Sequence, residues 1–313
     1  MLRLVLALML SCVVCGATAD ERIPIVDAHS QVAEGIAIDR VLSLMNEAGV
    51  SRTILAGRGT SARDVVAAAR LHPWQIIASI NMKYPPEVLR ERPDDALDRI
   101  RRAGEAPDFG AISEAMICHE QKGRRAPEIL RDFDAPEIRE AFTVAQQRRW
   151  PFVVHIEFAY ARSLGRYDEY MRALEDFLAR HPQQPVALTH MGQLEAGEAR
   201  RLIEAHPNVY FLTSHSNPVF LERRREKHPW TNLFAGNQLA PAWRDLVLLH
   251  PERFVLAFDN VYNADWGNFY LQQVQLWREA LAKLPPNVEN AVAHGNAERL
   301  WRLRSPPGSQ GKG

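Results

Sequence analysis

The strongest constraint on this chain is a repeat. Apolar, β-branched runs at 24–31, 52–57, 76–82, 109–117, 151–157, 185–191, 208–216 and 253–260 alternate with amphipathic stretches. Their starts fall about 33 residues apart, close to the roughly 30 residues that a strand-plus-helix unit needs. Strands connected through helices pair in parallel, because each crossover returns the chain to the same end of the sheet. Eight such units close a ring. The expectation is therefore an α/β fold, a (β/α)8 TIM barrel, with a single domain over residues 20–303.

The segments between the runs carry helix boundaries. The stretch 39–48 stops at Gly49, 61–71 opens on Ser61 as a capping residue with Asp64 following, and 167–180 stops before His181-Pro182. His72, His206, His228 and His250 also precede prolines, mostly after expected helices. There an imidazole faces the helix C-terminus and the proline blocks continuation, which makes these histidines punctuation rather than ligands. Two long excursions, 118–135 and 217–239, have the length of lids over a site. The mixed-sign run 222–227 reads as a solvated face.

At the N-terminus, Arg3 is followed by an apolar run over 4–14 that is too short to cross about 30 Å of hydrocarbon. Ala17-Thr18-Ala19 then supplies a small-residue cleavage pattern. The expectation is a signal peptide over 1–19 and a periplasmic or secreted mature chain. Cleavage removes Cys12 and Cys15 and leaves Cys118, which has no internal partner and reads as a small buried apolar side chain. Residues 304–313 form a polar tail, expected to be disordered. Lys and Arg number 38 against 38 Asp and Glu, so no net field favours nucleic acid or an anionic membrane surface. A small-molecule substrate fits better; the oligomeric state is not legible.

In a barrel of this kind, chemistry gathers at the C-terminal ends of the strands. His29 and Gln31 end the first run, Glu114 lies in the fourth, and His155 and Glu157 close the fifth. His190, His215 and Asp259 end the sixth, seventh and eighth. A lone histidine at such a place is more often a satisfied rim group, and a lone carboxylate a helix cap. Convergence from strands far apart in sequence favours function. Imidazoles and a carboxylate suit a zinc-like ion, which lowers the pKa of bound water toward about 7. Asn260, Tyr262, Trp266 and Trp230 are candidates to line the pocket, with packing as the equal alternative. No P-loop, dinucleotide-binding, CxxC or serine-elbow motif competes.

The order VDAHSQ, GAISEA, FVVHIE, ALTHMG, RFVLAFDN and AVAHGNAERLWRL, with Asn296 and Leu300 in the closing segment, resembles the amidohydrolase superfamily. The similarity runs over residues 25–303 and points to its amidohydrolase-related branch of metal-dependent hydrolases and decarboxylases. It implies a divalent metal, expected to be zinc, with His29, Gln31, His155, His190 and Asp259 as its ligands. It also implies catalytic roles for Asp259, His190 and Glu114. The family's first-strand pair is His-x-His, so Gln31 departs from it: a neutral amide replaces an imidazole and weakens the site. Three readings stay open. A metal is held by His29, His155 and Asp259 with help from His190 or Glu114; hydrolysis is metal-independent; or the barrel is silent and binds a ligand. The implied reaction is hydrolysis of an amide, ester or lactone, with a decarboxylase as the alternative.

Overall fold

The computed structural model describes residues 22–83, 91–123, 126–223 and 229–304. The expected signal peptide, the tail beyond Arg304, the stretch 224–227 and His228 lie outside the described residues.

Every one of the runs contains a strand. Ile25–Val32, Val50–Gly57, Ile76–Ile80 and Phe109–Ile112 pair in chain order, all parallel. Ala115–His119, Phe152–Ile156, Val186–Leu188, Val209–Leu212 and Phe254–Val255 do the same. The fourth run is thus two short strands, one pairing back to the third and one pairing on to the fifth, with Ser113-Glu114 at the break. The first and eighth strands close the ring through backbone bonds. Ala28 N–H donates to Leu256 O at 3.0 Å, Asp259 N–H to His29 O at 2.7 Å, and Gln31 N–H to Asn260 O at 2.7 Å. The fold is the expected (β/α)8 TIM barrel.

Two apolar layers follow from the period-two alternation of strands. Val26, Ala28, Ile54, Ala111, Val153, Ala187, Leu212, Val255 and Ala257 fill the barrel interior together with Leu300 and Trp301 from the closing segment. The alternate residues, such as Ile25, Leu55 and Ile76, pack outward against the helix residues Val41, Met45 and Val65. Ala187 and Ala257 precede Thr189 and Asp259 by one inward layer, so small side chains lie beneath the polar ones.

Several boundaries differ from expectation. Only Val186–Leu188 and Phe254–Val255 are extended in the sixth and eighth runs, because the chain then turns sharply into the mouth. The helix Ser61–Leu71 has Thr60 in the capping position, and Ser61 Oγ donates to Ala33 O at 3.1 Å instead of capping. His72, His181, His206 and His250 do end helices, donating their backbone N–H groups to the preceding turns. The first excursion folds back as Ile129–Leu130, antiparallel to Ala115–His119. The second carries the helix Pro218–Arg223 and a hairpin of Phe234–Ala235 with Gln238–Leu239. Arg223 in that helix is not simply solvated, since its Nη1 lies 3.2 Å from Asp265 Oδ1. No helix of the described residues is long and apolar enough to cross a membrane.

Candidate active site

The first strand delivers its side chains to the mouth through a bulge. Asp27 pairs with Thr53 but Ser30 with Leu55, so two residues oppose one. That extra residue flips the inward parity from Val26 and Ala28 to His29 and Gln31. On the fifth strand the parity is unbroken through Val153, His155 and Glu157. Past the sixth, seventh and eighth strands, His190 (φ 54°), His215 (φ 60°) and Asp259 (φ 52°) adopt left-handed backbone. For residues other than glycine this costs about 1–3 kcal/mol and persists only where the surroundings enforce it. Part of that enforcement is Asp27. Its carboxylate accepts the N–H groups of His29 at 3.2 Å and Phe258 at 3.1 Å, and the Ser30 hydroxyl at 2.6 Å. Burial pushes Asp27 up to about 7 in spite of these bonds.

Glu114, placed at the break in the fourth run, is the hub. Its Oε2 accepts His155 Nδ1 at 2.6 Å, and its Oε1 accepts Gln31 Nε2 at 3.3 Å and pairs with the Lys83 ammonium. Gln31 Nε2 also donates to Asp259 Oδ1 at 2.8 Å, while its amide oxygen accepts Arg58 Nε at 2.8 Å. The Arg58 bond settles the orientation of the amide, because a guanidinium can only donate. Gln31 therefore faces the carboxylates with its nitrogen and turns its oxygen toward Arg58. His155 is likewise engaged on both sides, Nδ1 with Glu114 and Nε2 with Glu157 at 2.9 Å. Its ring nitrogens also fall in two groups of ligand atoms close enough to hold an ion, one with Glu114 and His190 and one with His119 and Glu157. All five expected ligands, His29, Gln31, His155, His190 and Asp259, thus meet around Glu114.

The two central carboxylates are driven in opposite directions. Burial alone would raise Glu114, but the Lys83 ammonium and then His155 outweigh it and hold it well below the usual range. Asp259 is raised, first by burial and further by the charge of Glu114, against the pull of His29. His29 and His155 are raised because neighbouring carboxylates outweigh the burial that opposes a cation. His190 is pushed well below its usual value by burial and by His215 and His155 beside it. Its backbone N–H donates to Ser214 Oγ at 3.2 Å, and that hydroxyl lies 2.9 Å from Nδ1. A neutral ring receiving the Ser214 proton at Nδ1 carries its own on Nε2.

The donor set can be tested against a metal. His29 Nε2 is buried and makes no hydrogen bond among the described residues. It lies 3.4 Å from Asp259 Oδ1 and 3.6 Å from Glu114 Oε1. Ligands at about 2.05 Å in a tetrahedron stand roughly 3.3 Å apart, close to these two separations. Among the described residues, His29, Glu114 and Asp259 form one of four overlapping groups able to hold an ion. The others are Glu114, His155 and His190; His190, His215 and Asp259; and His119, His155 and Glu157. His190 Nε2, 3.6 Å from Asp259 Oδ2 and 3.8 Å from Glu114 Oε2, faces the same space.

Two cations went unread in the sequence, Arg58 and Lys83. Each continues the inward parity of its strand, Arg58 from Ile54 and Lys83 from Ile77, just past the runs 52–57 and 76–82. Around the centre, His215 stacks on His190 with centroids 4.3 Å apart, and Trp230 meets both edge-on at 5.0 and 5.1 Å. Tyr262 accepts Arg58 Nη1 at 3.4 Å. Trp266 and Asn260 serve packing: Trp266 Nε1 donates to Gln31 O at 3.0 Å, and Asn260 Oδ1 accepts Gln273 Nε2 at 3.2 Å. Glu157 accepts His155, the Glu120 N–H at 2.9 Å and the Lys122 ammonium. His155 and Lys122 hold it at about 2 although burial pulls the other way. Lys122 in turn lies 4.8 Å from the Trp230 ring centroid, so the two excursions meet over the mouth.

Known structures share this architecture. The 5-carboxyvanillate decarboxylase from Sphingomonas paucimobilis superimposes with a TM-score of 0.55 at 15% identity, covering 90% of this chain and 100% of that one. A TatD homologue from Escherichia coli k12 gives 0.56 at 16%, covering 90% and 98%. The 4-oxalomesaconate hydratase from Rhodopseudomonas palustris gives 0.53 at 13%, covering 89% and 96%. At such identities the likeness is one of fold. No curated protein matches the chain by sequence. The profile of the family described as Amidohydrolase, however, matches residues 16–303, nearly the whole chain. With the barrel, the strand-end histidines and the eighth-strand aspartate in place, the chain belongs to the amidohydrolase family.

Proposed function

We propose that the protein is an exported hydrolase of a small molecule carrying an amide, ester or lactone. The observation that carries this reading is the meeting of Glu114, Asp259 and the buried His29 Nε2 at the barrel mouth. A divalent ion, with zinc the first candidate, held by His29, Glu114 and Asp259 would supply a Lewis acid and a nucleophilic water at neutral pH. Glu114, kept anionic by Lys83 and His155, acts as fixed charge. Asp259, raised and less firmly held, accepts a proton at a carboxylate oxygen and returns it to the leaving group. His190, neutral and oriented by Ser214, donates from Nε2 to the oxygen on which charge develops. Trp230, Lys122 and Glu157 exclude water above them.

A second reading, carbon–carbon cleavage of a carboxylic acid, is favoured by Arg58. Among the described residues its hydrogen bonds go to the Gln31 amide oxygen and the Tyr262 hydroxyl, both neutral, while its charge also acts on nearby Asp259. A guanidinium so placed suits a substrate carboxylate. A panel of esters, lactones and amides, run beside carboxylic acids with carbon dioxide release as the readout, separates the two. Hydrolytic turnover supports the first reading, carbon dioxide without hydrolysis replaces it with the second, and turnover of neither class leaves a ligand-binding barrel.

A further inference from the structure

The oxygen of Glu114 that faces His29 is already taken. Oε1 lies 3.6 Å from His29 Nε2, and the Lys83 ammonium sits directly against it. Glu114 is fully buried, whereas about a quarter of the Lys83 side chain reaches solvent (26% exposed). One charge is therefore fixed and the other is carried on a flexible stem at the rim.

We propose that Lys83 is a tethered competitor for the metal: ammonium and divalent ion bind Glu114 in mutually exclusive fashion, and Lys83 sets the affinity of the centre. The inference rests on the reading of His29, Glu114 and Asp259 as a metal centre. A dication within that triad would lie a few ångströms from the docked ammonium, where like charges repel strongly in a buried setting. Lys83 can relieve the repulsion only by giving up Glu114 and swinging outward through the mouth. Gln31 also competes, through its Nε2, but as a neutral donor it contributes the smaller share. Beside His155, the Lys83 ammonium supplies a cation to the buried Glu114 carboxylate.

The test uses zinc alone as the probe, on the full chain freed of metal, with affinity read by competition against a chromophoric chelator. Lys83→Met keeps the stem and removes the charge; it should bind zinc at least about tenfold more tightly than wild type and gain more thermal stability from it. Lys83→Arg keeps a cation and should stay near wild type. If Lys83→Met does not fold, Lys83→Gln refolded with zinc present answers the same question. Equal zinc affinity in wild type and the neutral variants overturns the role of Lys83 while leaving the metal centre standing. Absence of zinc binding in every variant overturns both.

Discussion

Asp259 and Glu114 show at the level of single residues how surroundings divide one chemistry into two tasks. Lys83 and His155 press on Glu114, whereas Asp259 has the amide of Gln31 at 2.8 Å and His29 at 3.4 Å. Asp259→Asn tests the division. Asparagine tolerates the left-handed backbone that position 259 requires and keeps an oxygen for Gln31, so the fold should survive. Because the Asp259 pKa is raised, its ionised form costs stability, and the neutral variant should melt at or above the wild-type temperature. Turnover of any substrate found should fall at least about a hundredfold, the lower range for loss of a positioned proton-transfer group. Full activity in the variant would assign proton transfer elsewhere.

At the scale of elements, the first excursion is pinned by groups that acid disturbs. His119 ends the strand Ala115–His119, and its Nδ1 donates to Pro127 O at 3.1 Å within that excursion. Burial, with the positive charges of His155 and Lys122 nearby, holds His119 down at about 3 from an ordinary 6.5. Its folded pKa lies below its unfolded one, so between those values the unfolded chain takes up a proton that the folded chain refuses. Stability from His119 is thus fully present above about pH 6.5 and declines as pH falls toward 3, by up to about 1.4 kcal/mol per pH unit. His29 and His155, raised in the folded state, contribute in the opposite sense, so the measurement must be a difference. His119→Asn can keep the bond to Pro127 without the titration. Its denaturant midpoint should gain on that of wild type as pH is lowered from 7 to 4; a constant gap would show that His119 is not held neutral.

For the molecule as a whole, export and thiol chemistry can be read together. The chain has three cysteines in all, and cleavage after Ala19 would leave Cys118 alone. Cys118 is buried, and burial followed by the charge of Glu157 pushes its thiol up to about 12. Protein recovered from the periplasm of a bacterial host should have an intact mass lacking residues 1–19. It should take up no thiol reagent when folded and one equivalent when denatured. Three equivalents, or a retained N-terminus, would refute cleavage.

The repeat of apolar runs determined the barrel, because period-two burial and a spacing of about 33 residues admit few other closed arrangements of parallel strands. The strand-end rule likewise picks out His29, His155, His190, Glu114 and Asp259 from the sequence. Applied with parity to the second and third runs, it would have reached Arg58 and Lys83 as well. What no run of letters discloses is how neighbours commit each atom. The bulge between Asp27 and Ser30 decides that Gln31 faces inward, and Arg58 decides that it presents nitrogen rather than oxygen. The bonds to Glu114 and Glu157 fix the His155 ring between two carboxylates, and the break between Phe109–Ile112 and Ala115–His119 puts Glu114 at the hub. Burial pattern is a property of the chain's periodicity and is written locally. Charge state and donor direction depend on groups brought together from distant strands, and only the closed barrel sets those distances.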